Sequence, residues 1–324
     1  MTSLITVICA MVLQAPATGP QAKPEESKKS DGVKNFAVPG RDYGLAIDLK
    51  GFTIEEDKLY DDGRGRYVRA SRRRNNVNVS FWLLPAEEKG DSKHCRETWW
   101  KKEKNNPFKP EDVRMREKDD LAIVDYMVRQ PVEQSNVRAY LADKKTWIDV
   151  HISKVNASEK DLARIDKLLD SVKIVAPCPT DVKMDLVLGS RFYLKRNYVK
   201  ASWHYQRVLD AEKEKRTLDT KSWRVVVDNL GMAYGIRERL ERARETFEYG
   251  IAEDPDYPMF YYNLACTYGE MNDLKNAIKY LKAAFERRAH LNPGERMPDP
   301  RADSSFKRFL KKSEFRETLK EIGY

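Results

Sequence analysis

Three stretches in the C-terminal half align residue for residue: LGSRFYLKRNYVKASWHYQRVL from Leu188, LGMAYGIRERLERARETFEYGI from Leu230 and LACTYGEMNDLKNAIKYLKAAF from Leu264. A small residue follows each leucine (Gly189, Gly231, Ala265), and an aromatic stands three positions later (Phe192, Tyr234, Tyr268). An alanine comes nine beyond that (Ala201, Ala243, Ala277), and a large residue four beyond the alanine (Tyr205, Phe247, Leu281). The second and third copies are 34 residues apart. The first and second are 42 apart, so the first copy carries eight extra residues, placed around AEKEKRTLDT. A fixed period of this length means stacked copies of one supersecondary unit, each unable to bury its apolar face alone. Within a copy the apolar spacing is helical. The small residue lets two paired helices cross closely, the aromatic fills the gap between them, and the alanine admits the next helix.

With Pro255 closing the second copy, these positions resemble the tetratricopeptide repeat pattern, W-x2-L-G-x2-Y…A-x3-F…P. The resemblance implies an all-α superhelix whose concave face is lined by the first helix of each pair. The tail from Ser304, with Phe306, Phe309, Leu310, Phe315, Leu319 and Ile322, is expected to form a capping helix over the last repeat. Just before each repeat leucine stand Val187, Asn229 and Asn263. In peptide-binding members of the family, asparagines so placed hold the backbone of an extended peptide, which suits an amide's paired donor and acceptor. The implied groove comprises Asn229, Asn263, Asp228, Met232 and Tyr262, with Cys266 beside them. A hydrogen bond between helices is the competing role for the two asparagines. Members that clamp a C-terminal carboxylate use Lys and Asn on the first helix, where this chain has Leu186 and Ser190.

The N-terminal half has a different period. Val77, Val79, Phe81 and Leu83 alternate with polar neighbours, as do Ala122 to Val128, Val137 to Leu141 and Ile148 to Ile152. These read as strands of an antiparallel sheet with one buried face. Helices are expected over 92–105 and 159–172, the latter opened by the capping pair Ser158 and Asp161. The fold class is therefore α+β, an antiparallel sheet with covering helices, followed by the helical superhelix. A strand pair, a helix and the short strand SVKIV (Ser171 to Val175) resemble the PsbP-like α/β sandwich in element order; that resemblance implies a binding or assembly module. The expected division is 1–22 signal segment, 23–35 solvated linker, 36–177 α+β domain and 180–324 repeats with cap.

The signal reading rests on the ten-residue apolar run Leu4 to Leu13, too short to span a bilayer as a helix, followed by small residues at Ala15 and Ala17. No Lys or Arg precedes Lys23. Export would allow Cys95 and Cys178 to pair, leaving Cys266 as a buried thiol.

No catalytic set emerges. The four histidines, His94, His151, His204 and His290, form no metal-binding spacing, and no metal or cofactor is expected. His151, on the polar face of its strand, is expected to be exposed. The formal charge is +9, of which residues 33–177 carry +4 and residues 178–324 carry +5. Arg64, Arg66, Arg69, Arg72, Arg73 and Arg74, near Trp99 and Trp100 in sequence, could bind phosphates or stacked bases. Acidic Glu55, Glu56, Asp57, Asp61 and Asp62 precede them, so a self-neutralised hairpin is favoured and nucleic acid is disfavoured as a partner. The reading is an exported, non-enzymatic adaptor that binds a protein or peptide in its repeat groove. The alternatives are a hydrolase with its site in the N-terminal domain, or an anionic-surface binder acting through the Arg64–Arg74 hairpin.

Overall fold

Alternating apolar residues become two sheets in the N-terminal unit, which ends at Asp181 in the computed structural model. Described are residues 32–60, 63–103, 109–143 and 145–324; the signal-like run and residues 23–31 lie outside them. The unit runs β1 (Val33–Ala37), β2 (Gly44–Asp48), β3 (Thr53–Leu59), β4 (Arg66–Arg72), β5 (Val77–Pro85), α1 (Ser92–Glu103), β6 (Glu111–Lys118), β7 (Leu121–Val128), β8 (Gln134–Asp143), β9 (Thr146–Val155), α2 (Glu159–Leu169) and β10 (Lys173–Val175). The seven-stranded sheet has the order β3-β4-β5-β9-β8-β7-β6, and β1-β2-β10 form a smaller one. Every pairing is antiparallel.

One face of the large sheet sends Val79, Phe81, Ala139 and Val150 into a core shared with Phe36, Leu45 and Ile47 of the small sheet and with Ile165 and Leu169 of α2. On the other face α1 lays Cys95, Trp99 and Trp100 over Tyr126, Tyr140 and Trp147. Two sequence expectations are corrected here. Strand β1 begins at Val33, inside the stretch read as linker, because Val33 to Ala37 pair along β2. Cys95 and Cys178 are both buried and do not pair with each other. Cys95 sits under α1, whereas Cys178 lies by Gly44 of β2, where an added Cβ would come within 2.7 Å of its sulfur.

The C-terminal unit, from Val182, is helical: α3 (Val182–Leu194), α4 (Tyr198–Glu214), α5 (Thr220–Ile236), α6 (Leu240–Glu253), α7 (Pro258–Glu270), α8 (Leu274–Glu286) and α9 (Ser313–Ile322). They pack as the pairs α3–α4, α5–α6 and α7–α8, with α9 against α8. A Cβ on Gly189 would stand 2.9 Å from the Tyr205 ring, and one on Gly231 2.4 Å from the Phe247 ring, so each pair closes on a position with no side chain. The matched alanines Ala201, Ala243 and Ala277 are fully buried.

The eight extra residues of the first repeat are not a loop. Measured from the matched positions, α4 ends three residues later than α6 does, the loop after it is one residue longer, and α5 starts four residues earlier than α7. Helices elongate at both sides of the junction, and Glu212 ties it by accepting from the backbone N–H of Thr217 at 3.0 Å and of Leu218 at 3.0 Å. The added turn of α5 carries Trp223, which is fully buried and packs edge-on against Phe260. The three tight turns within the pairs place Arg196, Glu238 and Asn272 at φ 56°, 58° and 63°, left-handed backbone at equivalent repeat positions.

Two stability predictions follow from these contacts. Asp185, 1% exposed, accepts from Nδ1 of His204 at 2.6 Å and from Nε of Arg207 at 3.1 Å. Asp185→Ala strands both partners between α3 and α4 and is expected to lower unfolding free energy by about 3 kcal/mol in urea titration. Glu238→Gly relieves a left-handed non-glycine residue and is expected to raise it by about 0.5–1 kcal/mol.

Candidate functional site

The first helices of the three pairs present a common face, and the structure places the expected groove residues on it in unequal roles. Asn229 of α5 donates through Nδ2 to the Tyr205 hydroxyl at 2.9 Å, and that hydroxyl donates onward to Ser190. Its repeat counterpart Asn263, on α7, would meet Phe247 in place of Tyr205. Phe247 has no hydroxyl, and Asn263 instead donates to Oδ1 of Asp228 at 2.9 Å, with both residues buried. Both amide groups thus tie neighbouring helices. Their expected stacking as free peptide hooks is corrected: only Asn263 touches the cleft described next.

Met232, Tyr262, Asn263 and Cys266 line one cleft of about 110 Å³, with Gly231, Gly235 and Ile236 on the α5 side and Thr267 and Glu270 on the α7 side. Its remaining wall was not expected: it is Asp303, Ser304 and Ser305, from the connection between α8 and α9. Between His290 and Ser304 that connection has no helix or strand, and it lies along α7. Near the start of α7, the Tyr257 hydroxyl faces Glu295, with contacts of 3.1 and 3.2 Å, and Arg224 of α5 donates to Asn292 at 2.7 Å. Further along α7 the Tyr262 hydroxyl donates to Asp303 at 3.0 Å, and Cys266 Sγ lies 3.5 Å from the same carboxylate. At the end of the helix a Cβ on Gly269 would meet the Ser305 carbonyl oxygen at 2.6 Å. No repeat pattern marks these residues; the readable signal is the run between the third copy and the tail, broken by Gly294, Pro298 and Pro300.

Asp228 is the electrostatic centre of this face. Burial pushes its carboxyl up to about 7, helped by nearby Glu295 and opposed by the Asn263 hydrogen bond, the Tyr257 hydroxyl and Arg224. Burial also raises the Cys266 thiol well above its ordinary range, with Asp303 adding to the effect. Cys266 is therefore a neutral thiol at physiological pH and no nucleophile.

The other sequence candidates fall elsewhere. Arg66, 5% exposed, makes two bonds to Asp57 at 2.8 and 2.7 Å and one to Asp181 at 2.8 Å. Arg69 reaches Glu55 at 3.4 Å, and Arg72 lies 4.7 Å above the Phe52 ring. Arg64, Arg73 and Arg74 are exposed, the last two on a short 3-10 turn. The arginines therefore do not form one free basic patch, because the acidic strand opposite takes Arg66 and Arg69. Trp99 and Trp100 are buried under α1 and offer no stacking surface. His204 belongs to the Asp185 cluster. His290 is exposed, and His94 stands 2.9 Å from Glu88.

His151 is not exposed as expected. It sits half-buried in a cleft of about 290 Å³ on the outer face of the large sheet, with Tyr126, Gln134, Asn136 and Arg138. Its Nε2 lies 3.0 Å from Asn136 Oδ1, and Arg138 donates to Asp149 at 2.6 Å. Burial, then the charge of Arg138, drives the imidazole down to about 3, so it is neutral and a poor base near pH 7. Among the described residues no group of His, Cys, Asp and Glu is placed to hold a metal ion, and no helix is long and apolar enough to cross a membrane.

Residues 260–290, which span α7 and α8, match a tetratricopeptide repeat family model. No curated protein matches the chain. Among solved structures, it is similar to MamA (MSR-1) at 21% identity and a TM-score of 0.29, over 33% of this chain and 57% of that one. The chain thus spans little more than half of MamA. It is also similar to PcrH from Pseudomonas aeruginosa at 18% identity and a TM-score of 0.31, over 44% of this chain and 92% of PcrH.

The raised carboxyl yields a signed pH prediction. Between about pH 4 and pH 7 folded Asp228 holds a proton that the unfolded chain has released, so stability falls as pH rises through that window. Asp228→Asn keeps the acceptor for Asn263 and removes the titration. Urea titrations are expected to show the variant equal to the parent near pH 4 and more stable at pH 8, by on the order of 1–3 kcal/mol. Parallel pH profiles for the two proteins would refute the assignment.

Proposed function

We propose that this tetratricopeptide-repeat chain is an exported, non-enzymatic adaptor that binds an extended segment of a partner protein on the face of α5 and α7. The observation that carries the reading is the cleft beside Met232 and Tyr262, one wall of which is a non-helical run of polypeptide and the turn after it, lying along α7. Groove recognition by helical-repeat proteins uses such rows of polar groups for orientation and small apolar recesses for side chains. Met232 and Ile236 supply the recess, and the hydroxyls of Tyr257 and Tyr262 supply donors at either end. Export is supported by the Leu4 to Leu13 run with Ala15 and Ala17 behind it. The enzyme alternative is disfavoured because neutral His151 and the high-pKa Cys266 provide neither base nor nucleophile. The anionic-surface alternative is disfavoured because Arg66 and Arg69 are paired within the hairpin.

Affinity capture from the native envelope fraction separates the readings. Met232→Glu places a charge in the recess and is expected to reduce capture of the specific partner at least tenfold, while Arg73→Ala/Arg74→Ala captures it like the parent. Retention by Met232→Glu would overturn the groove assignment, and loss in the arginine variant would place the contact on the hairpin. Intact mass of the chain recovered from that fraction checks export, with cleavage expected after Ala17 or Ala22.

A further inference from the structure

The groove of α5 and α7 is covered in part by the chain's own residues 292–305, and the manner of that cover is informative. The underlying helices present donors: the hydroxyls of Tyr257 and Tyr262, the thiol of Cys266 and the guanidinium of Arg224. The strap presents acceptors to them, the carboxylates of Glu295 and Asp303 and the amide oxygen of Asn292. The strap follows α7 from Tyr257 to Gly269, and its backbone presses on the one residue there that has no side chain.

The strap is attached without being built into the core. Within residues 292–305 only Asn292 and Pro300 are buried, whereas Tyr257 and Tyr262 beneath the strap are 1% and 2% exposed. The apolar anchors begin after it, at Phe306 and Phe309, which pack on Phe315 of α9. Between buried Asn292 and buried Phe306 the strap is thus held to the helices by polar contacts rather than by apolar burial. A segment held through polar contacts at the surface belongs to the low-stability end of a structure.

We propose that residues 292–305 are a built-in occupant of the groove, and that the partner is an extended acidic segment which takes the same donors by displacing this strap. The inference rests on the groove reading above and adds the chemistry of the ligand and the need for displacement. A basic segment would bring no acceptors to replace Glu295 and Asp303, and would leave the donor row unpaired. Affinity for the partner is then lowered by the fraction of molecules in which the strap is closed.

The test uses the full chain and a labelled synthetic peptide of residues 291–305 as probe, followed by fluorescence anisotropy. Two variants open the strap by different means. Gly269→Ala puts a methyl against the Ser305 carbonyl and favours the helix, and Glu295→Gln/Asp303→Asn removes the strap's charges. Both are expected to bind the probe at least tenfold more tightly than the parent. A probe carrying Glu295→Gln and Asp303→Asn is expected to bind the opened chains at least tenfold more weakly, and one with lysines there not at all. Hydrogen exchange on the parent adds a readout that needs no variant: saturating probe should speed exchange of amides 292–305 and slow exchange in α7. Equal affinity in parent and opened chains, no binding by any chain, or binding that leaves strap exchange unchanged would each overturn displacement. Equal binding of the neutralised probe would overturn the acidic specificity. These outcomes are distinct from failure of the groove reading, which shows as partner capture that survives Met232→Glu.

Discussion

Two helices cannot approach within side-chain distance unless one of them offers a gap where the other offers bulk. In the C-terminal unit that gap is Gly189 under Tyr205 and Gly231 under Phe247. Everything else in the superhelix is arranged around these contacts. The buried alanines let each second helix reach the next pair, and the left-handed residues in the turns hold the paired helices in register. A Cβ at Gly231 would overlap the Phe247 ring at 2.4 Å, a distance that repacking can relieve only by moving a helix. The close approach is also what makes a continuous first-helix face, because it sets α3, α5 and α7 side by side with their polar edges outward.

The N-terminal unit obeys a different constraint. Its large sheet is covered on both faces, by the small sheet and α2 on one side and by α1 on the other, so its strands need apolar residues in both phases. On the same face, beside Tyr126, the polar residues Asn136, Arg138, Asp149 and His151 gather, joined through the Arg138–Asp149 ion pair and the Asn136–His151 contact.

The parts legible from sequence were those governed by period. Alternation at Val77 to Leu83 and the 34-residue step each follow from a regular backbone repeating the same environment. The second-face core of Trp99 and Trp100 was not legible as such, because two tryptophans beside two lysines look the same on an exposed helix as on a covering one. The eight extra residues of the first repeat could be counted and placed around AEKEKRTLDT, but their conformation was not legible, since elongating α4 and α5 and inserting a loop leave the same spacing in the chain. The exposure of His151 was misread because strand phase tells which face a residue is on but not whether that face is covered. The strap was invisible for a deeper reason: an irregular segment has no period, and its partners in the groove lie 35 to 68 positions away in sequence.

Where the repeats depart from one another is therefore where the groove acquires its character. Tyr205 and Phe247 occupy the same place, yet the missing hydroxyl of Phe247 sends Asn263 to Asp228 instead. That contact buries a carboxyl at the centre of the face, and burial keeps it near half-protonated at neutral pH. A fully charged Asp228 would repel Glu295 across the Tyr257 hydroxyl, whereas a protonated one tolerates it. The two carboxyls thus oppose each other through one shared phenol, and a single hydroxyl, present on Tyr205 of repeat one and missing from Phe247 of repeat two, links the packing of the superhelix to the hold on its own strap. Repetition builds the groove, and the exceptions to it determine what the groove can hold.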